Sequence, residues 1–208
     1  MGRDRPVRPP DRPQTAVWTL ARILSIVGHP LVIVPAGVLA KLAIDRFIEA
    51  RTDVVVVVGL ICVATATFSL WQVKRGAWVD LDASASNERK TLVFALASGL
   101  IGVSAVLFLL GAPIFLSAGL ASAALIVMSA LLLARWCKLS LHTAFAVYAG
   151  LFLSPHVFLV LSVLVLAMLI GWSRLVLERH SIADVVSGYV VGLVSGMAYI
   201  AAPALMVA

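Results

Sequence analysis

Apolar runs of membrane-crossing length alternate with short polar segments along this chain, and the alternation predicts its elements. A first run extends from Val17 to about Ala40, with His29-Pro30 and Pro35 inside it as expected kinks. A polar loop, Lys41 to Asp53, precedes a second run, Val54 to Val73. The longest interior polar segment follows, Lys74 to Lys90. A third run, Thr91 to Leu110, turns at Gly111-Ala112-Pro113 into a fourth, Ile114 to Ala134, and so tight a turn predicts an antiparallel hairpin. After the polar stretch Arg135 to Ser140, the run Leu141 to Leu153 is short, about 20 Å as a helix. It ends at Ser154-Pro155 and is followed by His156 to Trp172, the polar stretch Ser173 to Asp184, and a last run from Ile182 to about Met206. In that last run Gly188, Gly192 and Gly196 recur every four residues, which predicts close contact with another helix.

No period-2 alternation is present, so the runs read as helices and not as barrel strands. The predicted fold class is all-α, a polytopic transmembrane bundle of six to seven helices with its site at one membrane face. Residues 1–16 read as a disordered basic arm and 17–208 as one domain. Composition agrees: 62% of the 208 residues are hydrophobic and 12% charged, which excludes a soluble domain. The formal net charge of +6 lies outside the apolar runs. It suits membrane topology and anionic head groups, and no nucleic-acid partner is expected. Cys62 and Cys137 fall within or at the end of apolar runs and predict no disulfide.

Two hairpins separate the three polar segments. Each crosses and returns, so Lys74–Lys90, Arg135–His142 and Ser173–Asp184 must meet at one face, together with the N-terminal arm. All five tryptophans (Trp18, Trp71, Trp78, Trp136, Trp172) fall at that end of their spans, as an interfacial belt requires. The convergence brings Arg89, His142, Arg174, His180 and Asp184 together. Charged residues in so apolar a chain are costly unless they serve a purpose. His180 and Asp184 are four apart, so on one helix face the carboxylate can hold the imidazole in one tautomer. Two histidines, several cations and one carboxylate suit phosphoryl transfer through a covalent intermediate. The rival is a divalent ion held by histidines and carboxylates, which the crowding cations disfavour. No metal and no cofactor are expected. His29 reads as a packed or water-exposed histidine beside a kink, and Asp80, Asp82 and Glu88 as members of a solvated loop.

Ser173-Arg174, five residues, His180, three residues, Asp184 resembles the third signature of the type 2 phosphatidic acid phosphatase family, S-R-x5-H-x3-D, at every fixed position. The second signature, P-S-G-H, is met by Leu139-Ser140-Leu141-His142 at its serine and histidine only. The first, K-x6-R-P, keeps its arginine as Arg89, with Asp82 at the lysine position and Lys90 at the proline. The resemblance runs from about Lys74 to the C-terminus. It implies that His180 is the nucleophile, that Asp184 orients it, and that His142 is the general acid and then the base. It also implies that Arg174, Arg89 and Ser140 hold the phosphate without metal. Lys74, Arg75, Lys90 or Lys138 has to replace the missing lysine, and Lys138 lies nearest to His142 in sequence. Leu141 in place of glycine obstructs a close backbone approach to phosphate.

The resemblance implies a membrane lipid phosphate or polyprenyl pyrophosphate as substrate, and a hydrolase as the activity. A lipid phosphotransferase would use the same residues, and a catalytically silent phospholipid-binding relative would explain the altered signatures. A transporter fits less well, because the charges cluster at one face. Thirteen basic residues fall on the motif side against Lys41, Arg46 and Arg51 on the other, together all sixteen. The positive-inside rule therefore predicts a cytoplasm-facing site.

Overall fold

A computed structural model describes residues 15–45, 51–79 and 86–205. The arm up to residue 14, Arg46, and both Asp80 and Asp82 lie outside the described residues.

Among the described residues eight α-helices form the bundle: α1 (Ala16–Val27), α2 (Pro30–Ile44), α3 (Arg51–Lys74), α4 (Ser86–Leu109), α5 (Ile114–Leu132), α6 (Leu141–Phe152), α7 (Val157–Val176) and α8 (Ile182–Leu205). Among the described residues there is no strand. Five helices (α3, α4, α5, α7, α8) are long and apolar enough to cross a membrane, and α1 with α2 makes a sixth if the bent pair counts as one span. This is the all-helical membrane bundle that the apolar runs predict.

Turn chemistry sets the connections. α3 ends with Gly76 at φ 73°, Gly76 N–H donating to the Val73 carbonyl and Ala77 N–H to that of Gln72, the paired bonds of a Schellman cap. Gly111, at φ 71°, closes α4 in the same way, and Pro113 then starts α5. The resulting α4–α5 hairpin is pinned inside by Ser104 Oγ donating to the Ser117 carbonyl (2.8 Å).

The first span differs from the expected kinked helix. It breaks at Gly28-His29 and bends by 60°. Pro30 occupies the first turn of α2, where its missing N–H leaves no bond unmade, and His29 caps that helix. Gly28 is wedged on α7: a Cβ there would lie 2.6 Å from Ile170.

The short helix α6, about 18 Å long, is the centre of the bundle. Thr143, Ala144 and Ala146 have no exposed surface, and the helix touches α2, α5, α7 and α8. Its apolar length need not match the bilayer because protein, not lipid, surrounds it. Beyond its end, Lys41 Nζ from α2 donates to the Ser154 carbonyl and pairs with Asp45 (2.8 Å), which closes the far face. The glycine series on α8 packs on α6 as its spacing predicts. Cβ atoms at Gly188, Gly192 and Gly196 would collide with Thr143 and Ser140, with Ala144, and with Leu151.

Four of the tryptophans behave as a surface belt. Trp71 and Trp136 are exposed, with Arg75 and Arg135 stacked over them at 4.1 and 3.7 Å, Arg22 lies over Trp18, and Trp172 is also exposed. Trp78 departs from the expectation: it is buried edge-on against Phe68.

Candidate functional site

The three polar segments meet at one end of the bundle. After α7 the chain reverses through another Schellman cap, with Arg179 N–H on the Arg174 carbonyl (3.0 Å) and Glu178 N–H on that of Leu175 (2.9 Å). Glu178 takes the left-handed position at φ 52°, where glycine is the usual residue. Ser181 then opens α8 in a reciprocal box: its N–H donates to Asp184 Oδ2 (2.9 Å) and its Oγ accepts from Asp184 N–H (3.2 Å). Between these two caps the backbone presents Arg179 and His180.

Asp184 also accepts from Lys138 N–H through Oδ1 (2.7 Å), and its own carbonyl accepts from Ser140 N–H (3.0 Å). One carboxylate thus ties the loop before α6 to the start of α8. Its oxygen is 3.7 Å from His180 Nδ1, too long for a hydrogen bond. The expected orienting role falls instead to the Lys138 carbonyl, 3.0 Å from Nδ1. A carbonyl only accepts, so in the neutral ring Nδ1 carries the proton and Nε2 keeps a lone pair. Asp184 positions the carbonyl that selects the tautomer. The His180 ring is 5% exposed. Burial, then repulsion from Arg174, Arg89 and Lys138, holds it down to about 4, so it is neutral at pH 7.

Beside this ring lies a cavity of about 430 Å³. Its polar end is formed by Arg89, Lys138, Arg174, Arg179, His142 and His180, with His29 alongside. Its remaining wall is mostly apolar, interrupted by Cys62, Thr65 and Ser69, and drawn from α2 to α6, including Val58, Leu96, Leu100, Leu120 and Phe145. A second cleft of about 480 Å³, between α4 and α5, is lined by apolar and small residues without an ionisable group.

The cations are fixed from several elements. The Arg89 guanidinium donates to the Leu139 carbonyl. Arg174, buried at the end of α7, donates through Nη1 to Ser25 Oγ of α1. The Lys138 ammonium is pushed down by burial and then by its neighbours Arg89 and Arg174. Glu88 is buried and accepts from Val79 N–H (2.9 Å), which ties Val79 to the first turn of α4. It is therefore no member of a solvated loop.

Six of the seven residues singled out from the sequence meet around this point. Of the four cations offered for the missing lysine, Lys138 lines the cavity and Lys74, Arg75 and Lys90 do not. Ser140 is fully buried behind the wall, its Oγ without a hydrogen-bond partner among the described residues, so it offers no cradle on the cavity surface. Leu141 lines the cavity where the family pattern has glycine. Arg179 and Ser25 are not among the residues that the sequence points to, and His29, read there as a packed or water-exposed histidine beside a kink, lines the cavity. Arg179 carries a signal, a cation one residue before His180. Ser25 carries none. Among the described residues no three His, Cys, Asp or Glu side chains converge on a metal position.

Comparison with protein-family models, with curated proteins and with solved structures finds no match to this chain. The chemistry therefore has to be argued from the arrangement itself. Among the described residues, four cations stand with one carboxylate, whose oxygens are spent on backbone N–H groups, and this balance favours an anion. A neutral imidazole with a free lone pair, facing that anion, is a nucleophile or a base.

Proposed function

We propose that this protein is an integral membrane phosphatase that hydrolyses a lipid phosphate or polyprenyl diphosphate through a phosphohistidine. The observation that carries the proposal is the two-part cavity: a cationic end holding two histidines, continuous with an apolar wall of several membrane helices. A phosphate head group suits the first part and a hydrocarbon chain the second. The family signature around His180 supports the same reading.

His180 Nε2 donates its lone pair to phosphorus as the bond to the leaving oxygen breaks. That oxygen keeps the bonding pair and takes a proton from His142. His142 then removes a proton from water, whose oxygen bonds phosphorus as the P–N bond breaks and returns the pair to His180. Arg89, Arg174, Lys138 and Arg179 neutralise the oxygens that gather charge. Asp184 acts through the loop it fixes.

The test is phosphate release by purified protein in detergent with EDTA, from polyprenyl diphosphate, phosphatidic acid and phosphatidylglycerol phosphate. Release that survives EDTA and is lost in His142→Ala supports the reading, and the preferred lipid names the substrate. No release from any of the three overturns it. We place the site on the cytoplasmic side by the charge count. Reporter fusions at the C-terminus then read as external, and an internal signal would reverse that placement.

A pH prediction follows from the His180 environment. A histidine with its folded value below the unfolded ~6.5 takes up its proton later in the folded state. The neutral nucleophile therefore persists as pH falls through 6.5, and it is lost only near 4. Diethyl pyrocarbonate, which acylates neutral imidazole, should label His180 at pH 5.0 nearly as fast as at pH 7.0. Labelling that falls with a midpoint near 6.5 would contradict the described environment. Stability has the same sign: it falls as pH drops from 6.5 toward 4, because only the unfolded chain takes up that proton.

A further inference from the structure

We infer that His29 is a third histidine of the site, which positions His142 through its ring; this inference rests on the phosphatase reading. His29 is the residue at the break between α1 and α2. Its Nδ1 accepts from Leu31 N–H (3.2 Å), which fixes the plane and tautomer of the ring. The His142 ring stands edge-on to it, with centroids 5.2 Å apart and planes at 85°. Both rings line the same cavity as His180 and the four cations.

The fixing is rigid on both sides. His29 cannot turn without losing the cap of α2, and Pro30 restricts the backbone that follows. Gly28, just before it, is wedged on Ile170 of α7, four residues before Arg174. His142 sits in the first turn of α6, which is held by Ala144 N–H and Thr143 Oγ1 donating to the Ser140 carbonyl. The His29 ring bounds the His142 ring from the α2 side. A general acid must hold its proton at one oxygen, and a displacement of about 1 Å costs about 100-fold in rate. The break in the first span thereby acquires a purpose: it delivers an aromatic wall to the cavity.

Capping and ring placement can be separated. His29→Asn keeps a good helix cap and removes the ring. His29→Phe keeps an aromatic ring and removes the cap acceptor. We expect His29→Asn to lower kcat about 10–100-fold with KM changed less than about threefold, and His29→Phe to retain kcat within about threefold. The reverse order would mean that His29 only caps α2, and would overturn the inference. A readout independent of turnover is the rate at which diethyl pyrocarbonate labels His142, mapped by mass spectrometry. It should change at least about threefold in His29→Asn and stay near wild type in His29→Phe. If the wild type releases no phosphate but this labelling pattern holds, the phosphatase reading fails and the positioning stands. If phosphate is released and neither rate nor labelling separates the two variants, the inference fails alone. If neither phosphate release nor the labelling pattern is seen, both fail.

Discussion

His180→Ala is expected to lower phosphate release about a thousandfold or more, with the fold retained. The size follows from the role: without the nucleophile no covalent intermediate forms, and the remaining cations only bind. Retention of the fold follows from how the loop is held. The Schellman cap uses Arg174, Leu175, Glu178 and Arg179 backbone groups, and the reciprocal box uses Ser181 and Asp184. The ring of His180 supplies one bond to the Lys138 carbonyl and none of these. Thermal unfolding followed by size-exclusion chromatography in detergent should therefore stay within a few degrees of wild type. A variant that loses activity only because it unfolds would contradict this.

Gly188→Ala is expected to be among the most damaging single-methyl changes in the bundle. The added Cβ would lie 2.7 Å from the Ser140 carbonyl oxygen and would overlap Thr143 Oγ1. Neither can give way easily. Thr143 is fully buried and donates to the Ser140 carbonyl (2.9 Å), and that carbonyl also caps the first turn of α6. Overpacking of this kind costs about 1–3 kcal/mol. The strain falls one turn from Asp184, on the contact that joins the start of α8 to the Lys138–Ser140 loop, so activity should fall along with stability. Gly99→Ala is the control. It has open space within 4 Å on α4, so only helix propensity changes, in the stabilising direction. Equal melting temperatures for the two variants would show that α6 and α8 do not pack as described.

The spans were legible because a membrane helix must be apolar over its whole length, and the turns because Gly111-Ala112-Pro113 has few other conformations. The convergence of the polar segments followed from counting crossings. The short run at Leu141 read correctly as a helix, but its central, buried place depends on contacts that no local pattern records. What escaped the sequence is tertiary in origin. The spacing of His180 and Asp184 suggested a pair on one helix face, yet α8 begins at Ile182, with Ser181 as its cap. His180 therefore stands before the helix, and the i, i+4 relation does not apply to it. Asp184 serves the backbone instead. His29 looked like an ordinary residue beside a proline kink, because its neighbour His142 is more than a hundred residues away. Ser25 was unremarkable for the same reason: its partner, Arg174, lies on α7. Glu88 sat in a stretch rich in charge, and only the path of the chain shows that it is buried on Val79.

Trapping the covalent intermediate decides whether the reaction runs through a phosphohistidine. Purified protein is mixed with a substrate labelled at its terminal phosphate, quenched in alkali within a fraction of a turnover, and digested for mass spectrometry. Phosphate on His180 is expected, stable in alkali, labile in acid, and absent from His180→Ala. His142→Ala should slow its appearance and its decay alike. Phosphate release without any covalent label, or a label on a residue other than His180, would contradict that route.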